Sequence, residues 1–177
     1  IHYNWGLMKL RNYRLEITAD SMSTEWVKGR LHDLYLNKNV EIDFDSSVKY
    51  DFTLTSNAAS YVANRFSLSL HYVPPILSVP VAAVVDDAIV LSWTTDSEYK
   101  VKEYIVERSV NGFDFETVGN VTARNNSLPA EYVYTERPAM GAMYTYRVVA
   151  KSFGEKKVTS SPVSVTFRRT NPSFYIY

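Results

Sequence analysis

Apolar and polar residues alternate along four segments in the first part of the chain, at residues 13–19, 26–36, 48–55 and 65–72. A period of two is typical of a β-strand that buries one face and leaves the other in water. The four segments therefore predict a β-sandwich over residues 1–73. We expect this sandwich to lack strands on its N-terminal side.

The alternation is clearer in the second part of the chain, where short apolar runs are separated by turn residues. Two hairpins are predicted there. The first turns at Asn111-Gly112, a dipeptide that suits the positive φ angles of a tight primed turn, and the second turns at Gly154. About seven short strands, with turn signals every 8–12 residues, predict an immunoglobulin-like sandwich.

Three prolines separate the two parts. Pro74, Pro75 and Pro80 cannot donate to a β-ladder and favour an extended connector, so we place the boundary at Val73. The predicted fold class is all-β, with two β-sandwich modules. Its parts are residues 1–73, an immunoglobulin-like module at residues 74–168, and a linker with one strand at residues 169–177.

The composition narrows the function classes. The 19 basic and 19 acidic residues balance and form no basic block, so nucleic acid and anionic membranes are poor candidates for partners. No apolar run approaches the length of a membrane span, which predicts no membrane insertion. The chain has no cysteine, which removes disulfides, thiol catalysis and thiolate metal sites.

Several large side chains are predicted to be structural. Trp93, Tyr104, Tyr144 and Tyr146 occupy the inward positions of their alternating segments, so they are expected to pack together in the second module. A tryptophan at such a position is a packing residue and not a ligand contact. The hydroxyl groups of the remaining tyrosines are expected to reach water from half-buried sheet positions.

Two charged residues interrupt apolar strands of the first module. Asp33 and Arg65 each lie among apolar neighbours, where an unpaired charge would be costly to bury. We therefore predict that the two side chains face each other across the first sandwich.

Acidic residues offer the clearest candidate metal site. Glu41, Asp43 and Asp45 stand at alternate positions, and three carboxylates on one strand face could hold Ca²⁺, which prefers oxygen ligands. The spacing is not that of an EF-hand, and a solvated strand edge is the favoured interpretation. No other cofactor is predicted.

No catalytic arrangement is evident, and the chain is predicted not to be an enzyme. His2, His32 and His71 form no H-x-x-x-H pattern, and no G-x-S-x-G elbow is present. Trp5 and Trp26, together with tyrosines, could instead form an aromatic platform that stacks on sugar rings.

The residues resemble a known family. The segments "AIVLSWTT", "YIVERSVNGFDFETVGNV" and "YTYRVVAKSFGEK" resemble a fibronectin type III domain, with Trp93 in the second strand and Tyr144 as the tyrosine-corner residue. More specifically, they are similar to the modules that precede the sorting tail in proteins exported by the Bacteroidetes type IX secretion system. "YDFTLTSNAASYVANRFSLSL" resembles the end of a β-domain often found just upstream.

The C-terminal segment "SFYIY", with Phe174, Tyr175, Ile176 and Tyr177, resembles the first strand of the sorting domain of those cargo proteins. The resemblance implies a non-catalytic spacer and presentation region in a secreted or surface-anchored protein, on the outer face of the outer membrane. Its implied partner is the export machinery, which would bind the C-terminal end. A carbohydrate-binding accessory module of an exported hydrolase or adhesin is the alternative.

Overall fold

A computed structural model of the chain describes residues 8–20, 24–126 and 128–169. The chain divides into two compact units, Ile1–Val73 and Pro74–Tyr177, so the division falls immediately before the first two prolines of the connector. The described elements are 13 β-strands and one 3-10 turn, so the chain is all-β, and the described strand pairs are antiparallel. Within the described ranges, no helix is long and apolar enough to cross a membrane.

The first unit consists of two antiparallel sheets that enclose one core. One sheet has the strand order β1–β4 and the other the order β3–β2–β5. The strands are β1 (Asn12–Ile17), β2 (Val27–Asp33), β3 (Lys38–Ile42), β4 (Val48–Thr53) and β5 (Phe66–Tyr72). A single 3-10 turn at Ala58–Tyr61 precedes β5, and the side chain of Asn57 caps it by accepting a hydrogen bond from the Ala59 amide.

The core of the first unit contains side chains from both sheets. Its buried members are Leu31, Ile42, Tyr50, Phe52, Leu54 and Phe66. Tyr13, Leu15 and Ile17 of β1 pack against this core from alternate positions, as their period of two predicts. The unit is therefore a β-sandwich.

One predicted strand of this unit is too long. Residues 26–36 were expected to form a single strand, but β2 ends at Asp33 and a turn follows. The Asp33 carboxylate causes this ending, because its Oδ1 atom accepts hydrogen bonds from the amides of Tyr35 and Leu36. Leu34 and Leu36 are consequently exposed, and Asn37 completes the turn with a φ of 50°.

The second unit is also a sandwich of two antiparallel sheets. One has the strand order β10–β7–β6, and the other has the order β12–β11–β8–β9, with β13 also paired to β11. The strands are β6 (Val81–Val85), β7 (Ala88–Thr95), β8 (Val101–Ser109), β9 (Glu116–Thr122), β10 (Ala130–Glu136), β11 (Ala142–Ser152), β12 (Lys157–Thr159) and β13 (Val163–Phe167). β12 and β13 lie in succession along β11 and are separated by a short segment that contains Pro162.

The first hairpin of this unit is present, but its predicted turn is wrong. β8 and β9 are joined by the six-residue loop 110–115 instead of a two-residue primed turn, and only Gly112 in this loop has a positive φ, of 81°. The Asn111 side chain organises the loop, since its Oδ1 atom accepts hydrogen bonds from the amides of Phe113 and Asp114. Side-chain capping therefore determines the turn type here.

Gly119 is required at the point where the two sheets of the second unit meet. The ring of Tyr134 lies over it, and a Cβ atom at position 119 would come within 2.3 Å of that ring. The Tyr134 hydroxyl donates a hydrogen bond of 2.6 Å to the carbonyl of Val118. The absence of a side chain at Gly119 thus permits a tyrosine on β10 to close onto β9.

Candidate functional site

A buried ion pair joins two neighbouring strands of the first unit. Arg65 is 0% exposed and Asp33 is 1% exposed. The Arg65 Nη2 and Nε atoms donate to Asp33 Oδ2 and Oδ1 at 2.9 Å and 3.1 Å, which is the bidentate geometry of a strong charge-assisted pair. The pairing follows from the cost of burying either charge alone.

The predicted placement of this pair is wrong in one respect. Asp33 is the register partner of Phe66, the first residue of β5, so Arg65 lies immediately before the adjacent strand of the same sheet and not across the sandwich. The amide of Leu34 also donates to the carbonyl of Arg65, which extends the pairing by one residue. The two side chains meet because the β2–β5 ladder places them side by side.

The rest of the Arg65 guanidinium is also occupied. Its Nη1 atom donates to the carbonyls of Thr53 and Ser60, each at 2.8 Å. Its central carbon lies within 5.0 Å of the centroids of three aromatic rings, those of Tyr35, Phe52 and Phe66. Arg65 therefore ties β4, the 3-10 turn and the end of β2 together, which is a structural role.

The protonation states in this network are fixed by its contacts. Burial acts to raise the pKa of Asp33, but hydrogen bonds from Arg65, Tyr50 and the Leu36 amide outweigh it and hold that pKa below its ordinary value. The Tyr50 hydroxyl donates to Asp33 Oδ2 at 2.9 Å. Burial and this hydrogen bond raise the pKa of Tyr50 to about 12, so the phenol remains protonated.

A second buried carboxylate, on Glu98, organises the second unit. Glu98 is 0% exposed, and its Oε1 atom accepts hydrogen bonds from the hydroxyls of Tyr104, at 2.9 Å, and Tyr132. Its backbone amide donates to the carbonyl of Asn126, so the loop between β7 and β8 is held to the loop between β9 and β10. Burial and the bond to Glu98 raise the pKa of Tyr132 to about 12, and burial likewise raises the pKa of Tyr104.

The sequence gives no signal for this role of Glu98. Its neighbours "TTDSEYK" form a polar, turn-like stretch, and glutamate in such a stretch is usually solvated. The two tyrosine partners lie on β8 and β10, which no local pattern connects to residue 98. Only the assembled sandwich brings the three side chains together.

The predicted core residues of the second unit do form its core. Trp93, Tyr104, Tyr144 and Tyr146 are all buried within one cluster. The Trp93 ring stacks on that of Tyr132, with 5.5 Å between the ring centroids, and meets Tyr104 edge-on. Trp93 is therefore a packing residue.

Two of these tyrosines also anchor the connection between the sheets. The Tyr144 hydroxyl donates at 2.8 Å to the carbonyl of Met140, four residues upstream. This is the geometry of a tyrosine corner. The Tyr146 hydroxyl donates at 2.8 Å to Glu136 Oε2, and the other carboxylate oxygen of Glu136 pairs with Arg108.

The candidate calcium ligands do not converge. Glu41 is engaged by Arg30, whose Nε atom lies 2.6 Å from its Oε1 atom. Asp43 lies beyond the end of β3 and accepts a hydrogen bond from the amide of Asp45, which makes a local turn. No group of three or more metal-ligating side chains occurs anywhere in residues 8–20, 24–126 and 128–169. Glu41, Asp43 and Asp45 are all exposed, so the structure places them as separate surface groups.

Of the two tryptophans in the candidate sugar platform, the structure describes Trp26, and this side chain cannot serve as a platform. Trp26 is 1% exposed and packs edge-on against Tyr72, so its face is not available for stacking on a sugar ring. His32 Nδ1 lies 2.9 Å from Asn39 Oδ1 on an exposed sheet face. Other candidates lie outside the described residues, namely His2, Trp5 and the C-terminal residues Phe174, Tyr175, Ile176 and Tyr177.

Two surface clefts contain chemically useful groups. One, of about 590 Å³, lies at the end of the second sandwich where Glu98 is located. The guanidinium of Arg124 forms part of its lining and lies over the ring of Tyr132. The other, of about 250 Å³, lies in the first unit between β1 and β5 and is largely apolar.

Comparisons with known proteins give weak likenesses only. No protein-family model and no curated protein matches the chain. The pectate lyase Pel3 of Pectobacterium carotovorum is 22% identical over 51% of this chain and 26% of its own, with a TM-score of 0.39. The β-1,2-glucanase of Parabacteroides distasonis is 14% identical over 92% of this chain and 28% of its own, with a TM-score of 0.42. The chain thus spans about a quarter of either protein, and neither likeness carries an argument about fold or function.

Proposed function

We propose that this chain is a non-catalytic spacer and presentation region of a secreted or surface-anchored bacterial protein, a cargo of the Bacteroidetes type IX secretion system. The observation that carries the proposal is that the buried charged side chains make structural contacts. Asp33, Arg65 and Glu98 each join strands and loops within one sandwich. Their contacts favour rigidity over chemistry, and rigidity suits a spacer.

The strand arrangement of the second unit supports a fibronectin type III-like module. A three-stranded sheet faces one built on β8, β9 and β11, and β12 and β13 act as a single interrupted edge strand beside β11. The tyrosine corner of Tyr144 lies where the chain crosses from β10 to β11. Modules of this architecture commonly space and present other domains, although architecture alone does not determine function.

The proposal assigns export to the C-terminal end. The resemblance of Phe174–Tyr177 to the first strand of a sorting domain implies that a component of the export machinery is the partner of this region. These four residues lie outside the described part of the chain, so this step depends on the sequence resemblance alone.

A polysaccharide pull-down tests the proposal against the carbohydrate-binding alternative. The purified chain is incubated with insoluble glucans, pectins and mannans, and the bound fraction is measured. A spacer is expected to remain in the supernatant. Retention that is reversed by the matching soluble sugar would contradict the proposal.

A variant identifies non-specific adhesion in this assay. Phe113 is 87% exposed in the loop between β8 and β9, and it is the most exposed large apolar side chain among the residues that the structure describes. If Phe113→Ala abolishes retention on every matrix to the same extent, the retention was caused by this exposed ring and not by sugar recognition. Retention that Phe113→Ala does not change, and that one sugar competes, identifies a genuine sugar site.

A further inference from the structure

The loop between β8 and β9 contains a pair of residues that can react with each other. Asn111-Gly112 is the one Asn-Gly dipeptide in the chain. In such a pair the main-chain nitrogen of the glycine can attack the side-chain carbonyl carbon of the asparagine, because glycine has no Cβ atom to obstruct the nitrogen. Asn111 is exposed, and a Cβ atom built on Gly112 would meet no described atom within 4 Å. The pair is therefore accessible to water.

The reaction is a deamidation and needs water as its one co-reactant. A bond forms between the Gly112 nitrogen and Cγ of Asn111, and the bond from Cγ to Nδ2 breaks. The amide proton of Gly112 leaves with the amino group as ammonia, and a five-membered imide ring remains. Water then opens the ring to give aspartate, or isoaspartate, which has one additional carbon in the main chain. No group is oxidised or reduced.

In the folded loop, the attacking nitrogen is engaged in a hydrogen bond. A main-chain nitrogen is a poor nucleophile while it keeps its proton, because its lone pair is delocalised into the peptide bond. The Gly112 amide donates this proton to Ser109 Oγ at 2.9 Å. Ser109 ends β8 and is 2% exposed, so its hydroxyl is a fixed partner. The contact therefore keeps the proton on the nitrogen.

The side chain of Asn111 is held at both of its polar atoms. Its Oδ1 atom accepts hydrogen bonds from the amides of Phe113 and Asp114 and from the Ser109 hydroxyl, each at 2.9 Å. Its Nδ2 atom donates to Asp114 Oδ2 at 2.7 Å. Attack requires the carbonyl carbon to turn into line with the nitrogen, and these contacts oppose the rotation. The reaction consequently has to wait until the loop opens.

The product of the reaction does not fit the closed loop. A carboxylate oxygen replaces the Nδ2 donor of Asn111 and faces the carboxylate of Asp114, so an attraction becomes a repulsion between like charges. In isoaspartate, the additional main-chain carbon also displaces Gly112 from Ser109. Deamidation therefore removes contacts that close the loop.

We propose that Asn111 is a site of spontaneous deamidation, that the closed loop suppresses this reaction, and that the product keeps the loop open. The site is a one-way conformational switch at the end of the β8–β9 hairpin. It goes beyond the spacer function proposed above, because the change depends on the age of the molecule and on opening of this loop.

Mass-spectrometric peptide mapping tests the suppression. The chain is incubated in mildly alkaline buffer, with and without denaturing urea, and conversion of Asn111 is followed with time. The reaction should be at least about tenfold slower in the folded chain, because it proceeds only from the small population with an open loop. Equal rates in the two conditions would overturn the proposal.

Variants identify the contacts that suppress the reaction. Ser109→Ala removes the partner of the Gly112 amide, and Asp114→Ala removes the partner of Nδ2 from the exposed part of the loop. Each should speed conversion several-fold in the folded chain and leave the rate in urea unchanged. Ser164→Ala removes a hydroxyl that bonds Thr145 on the same sheet, so it should have no effect. Slow hydrogen exchange at the Val148 amide verifies that each variant is folded, and folded variants that react no faster than the native chain would overturn the proposal.

Hydrogen exchange on a mimic of the product tests the switch. Asn111→Asp should exchange the amide protons of Phe113 and Asp114 several-fold faster than the native chain at neutral pH. Adding Asp114→Asn to this variant reverses the donor and the acceptor, so slow exchange should return. Native exchange rates in Asn111→Asp, or a double variant that exchanges as fast as the single one, would overturn the switch.

Discussion

Replacement of Arg65 by methionine is expected to destabilise the first unit severely. Arg65→Met keeps the length and apolar stem of the side chain but removes four hydrogen bonds, two to Asp33 and one each to the carbonyls of Thr53 and Ser60. Asp33 would then be a buried carboxylate without its cation and with only the donors of Tyr50 and two backbone amides remaining.

The size of the effect follows from the burial of both partners. Breaking a buried ion pair by removing one member costs about 3–5 kcal/mol, because the other charge is left uncompensated. Domains of this size have stabilities of about 0.05–0.15 kcal/mol per residue, or about 4–11 kcal/mol for residues 1–73. The substitution should therefore remove about a quarter or more of the stability of the unit, and it should unfold the unit if that stability lies at the low end of the range, at about 4–5 kcal/mol.

The double variant Asp33→Asn/Arg65→Met separates loss of the pair from loss of packing. With the charge on Asp33 also removed, no uncompensated ion remains, and most of the lost stability should return.

The effect of pH on the stability of the first unit has a defined sign. The pKa of Asp33 is lowered in the native chain, so the pair contributes its stability above the ordinary value of 3.8 and loses it as the pH falls further. The difference in unfolding free energy between the native chain and Arg65→Met should thus become smaller in acid.

Urea denaturation measures these quantities. In a Trp93→Phe background, tryptophan remains only in residues 1–73, so its fluorescence reports the first unit. A cost of less than about 1 kcal/mol for Arg65→Met, the size of an exposed pair, would refute the assignment of the pair as a buried structural element. So would a double variant no more stable than the single one.

Further predictions concern the second unit and the buried tyrosines. Trp93→Ala should cost about 3–5 kcal/mol in urea denaturation by leaving a cavity beneath Tyr132, and a cost near zero would contradict its burial. Gly119→Ala should cost about 1–3 kcal/mol, since the new methyl group meets Tyr134, and Tyr134→Leu should relieve the clash; an additive double variant would contradict the contact. The pKa values of Tyr50 and Tyr132 are raised from 10.0 to about 12, so both tyrosines stabilise the fold fully below pH 10 and lose this effect as the pH rises through 12. Phenolate absorbance should show a group of late-titrating tyrosines that includes Tyr50 and Tyr132 and coincides with alkaline unfolding, and titration of every tyrosine near 10 would count against this.

The sequence was sufficient for the fold class and for much of the core. A period of two can be recognised in a single sequence because each strand buries one face. On β11, for example, Tyr144, Tyr146 and Val148 are the buried alternate residues. The pairing of Asp33 with Arg65 was predictable for a thermodynamic reason, since neither charge could be buried alone. The relative position of the two strands was not, because the order of strands in a sheet depends on contacts distant in sequence.

Other features depended on side-chain contacts that no pattern records. The strand beginning at Val27 ends early because Asp33 caps the turn after it, and the turn at Asn111 is lengthened by the same kind of capping. The role of Glu98 arises only when two tyrosines from different strands converge on it.

The most direct test of the spacer proposal is a replacement made in the parent protein, in a bacterium with a type IX secretion system. Residues 1–168 are exchanged for an unrelated pair of β-sandwich modules of the same length, with everything after residue 168 left in place. Surface-exposed protein is then quantified by protease accessibility on intact cells. The account predicts that the amount at the surface and the activity of the attached domains remain unchanged. Retention inside the cell, or loss of activity at unchanged surface levels, would contradict it, because residues 1–168 would then contribute more than spacing.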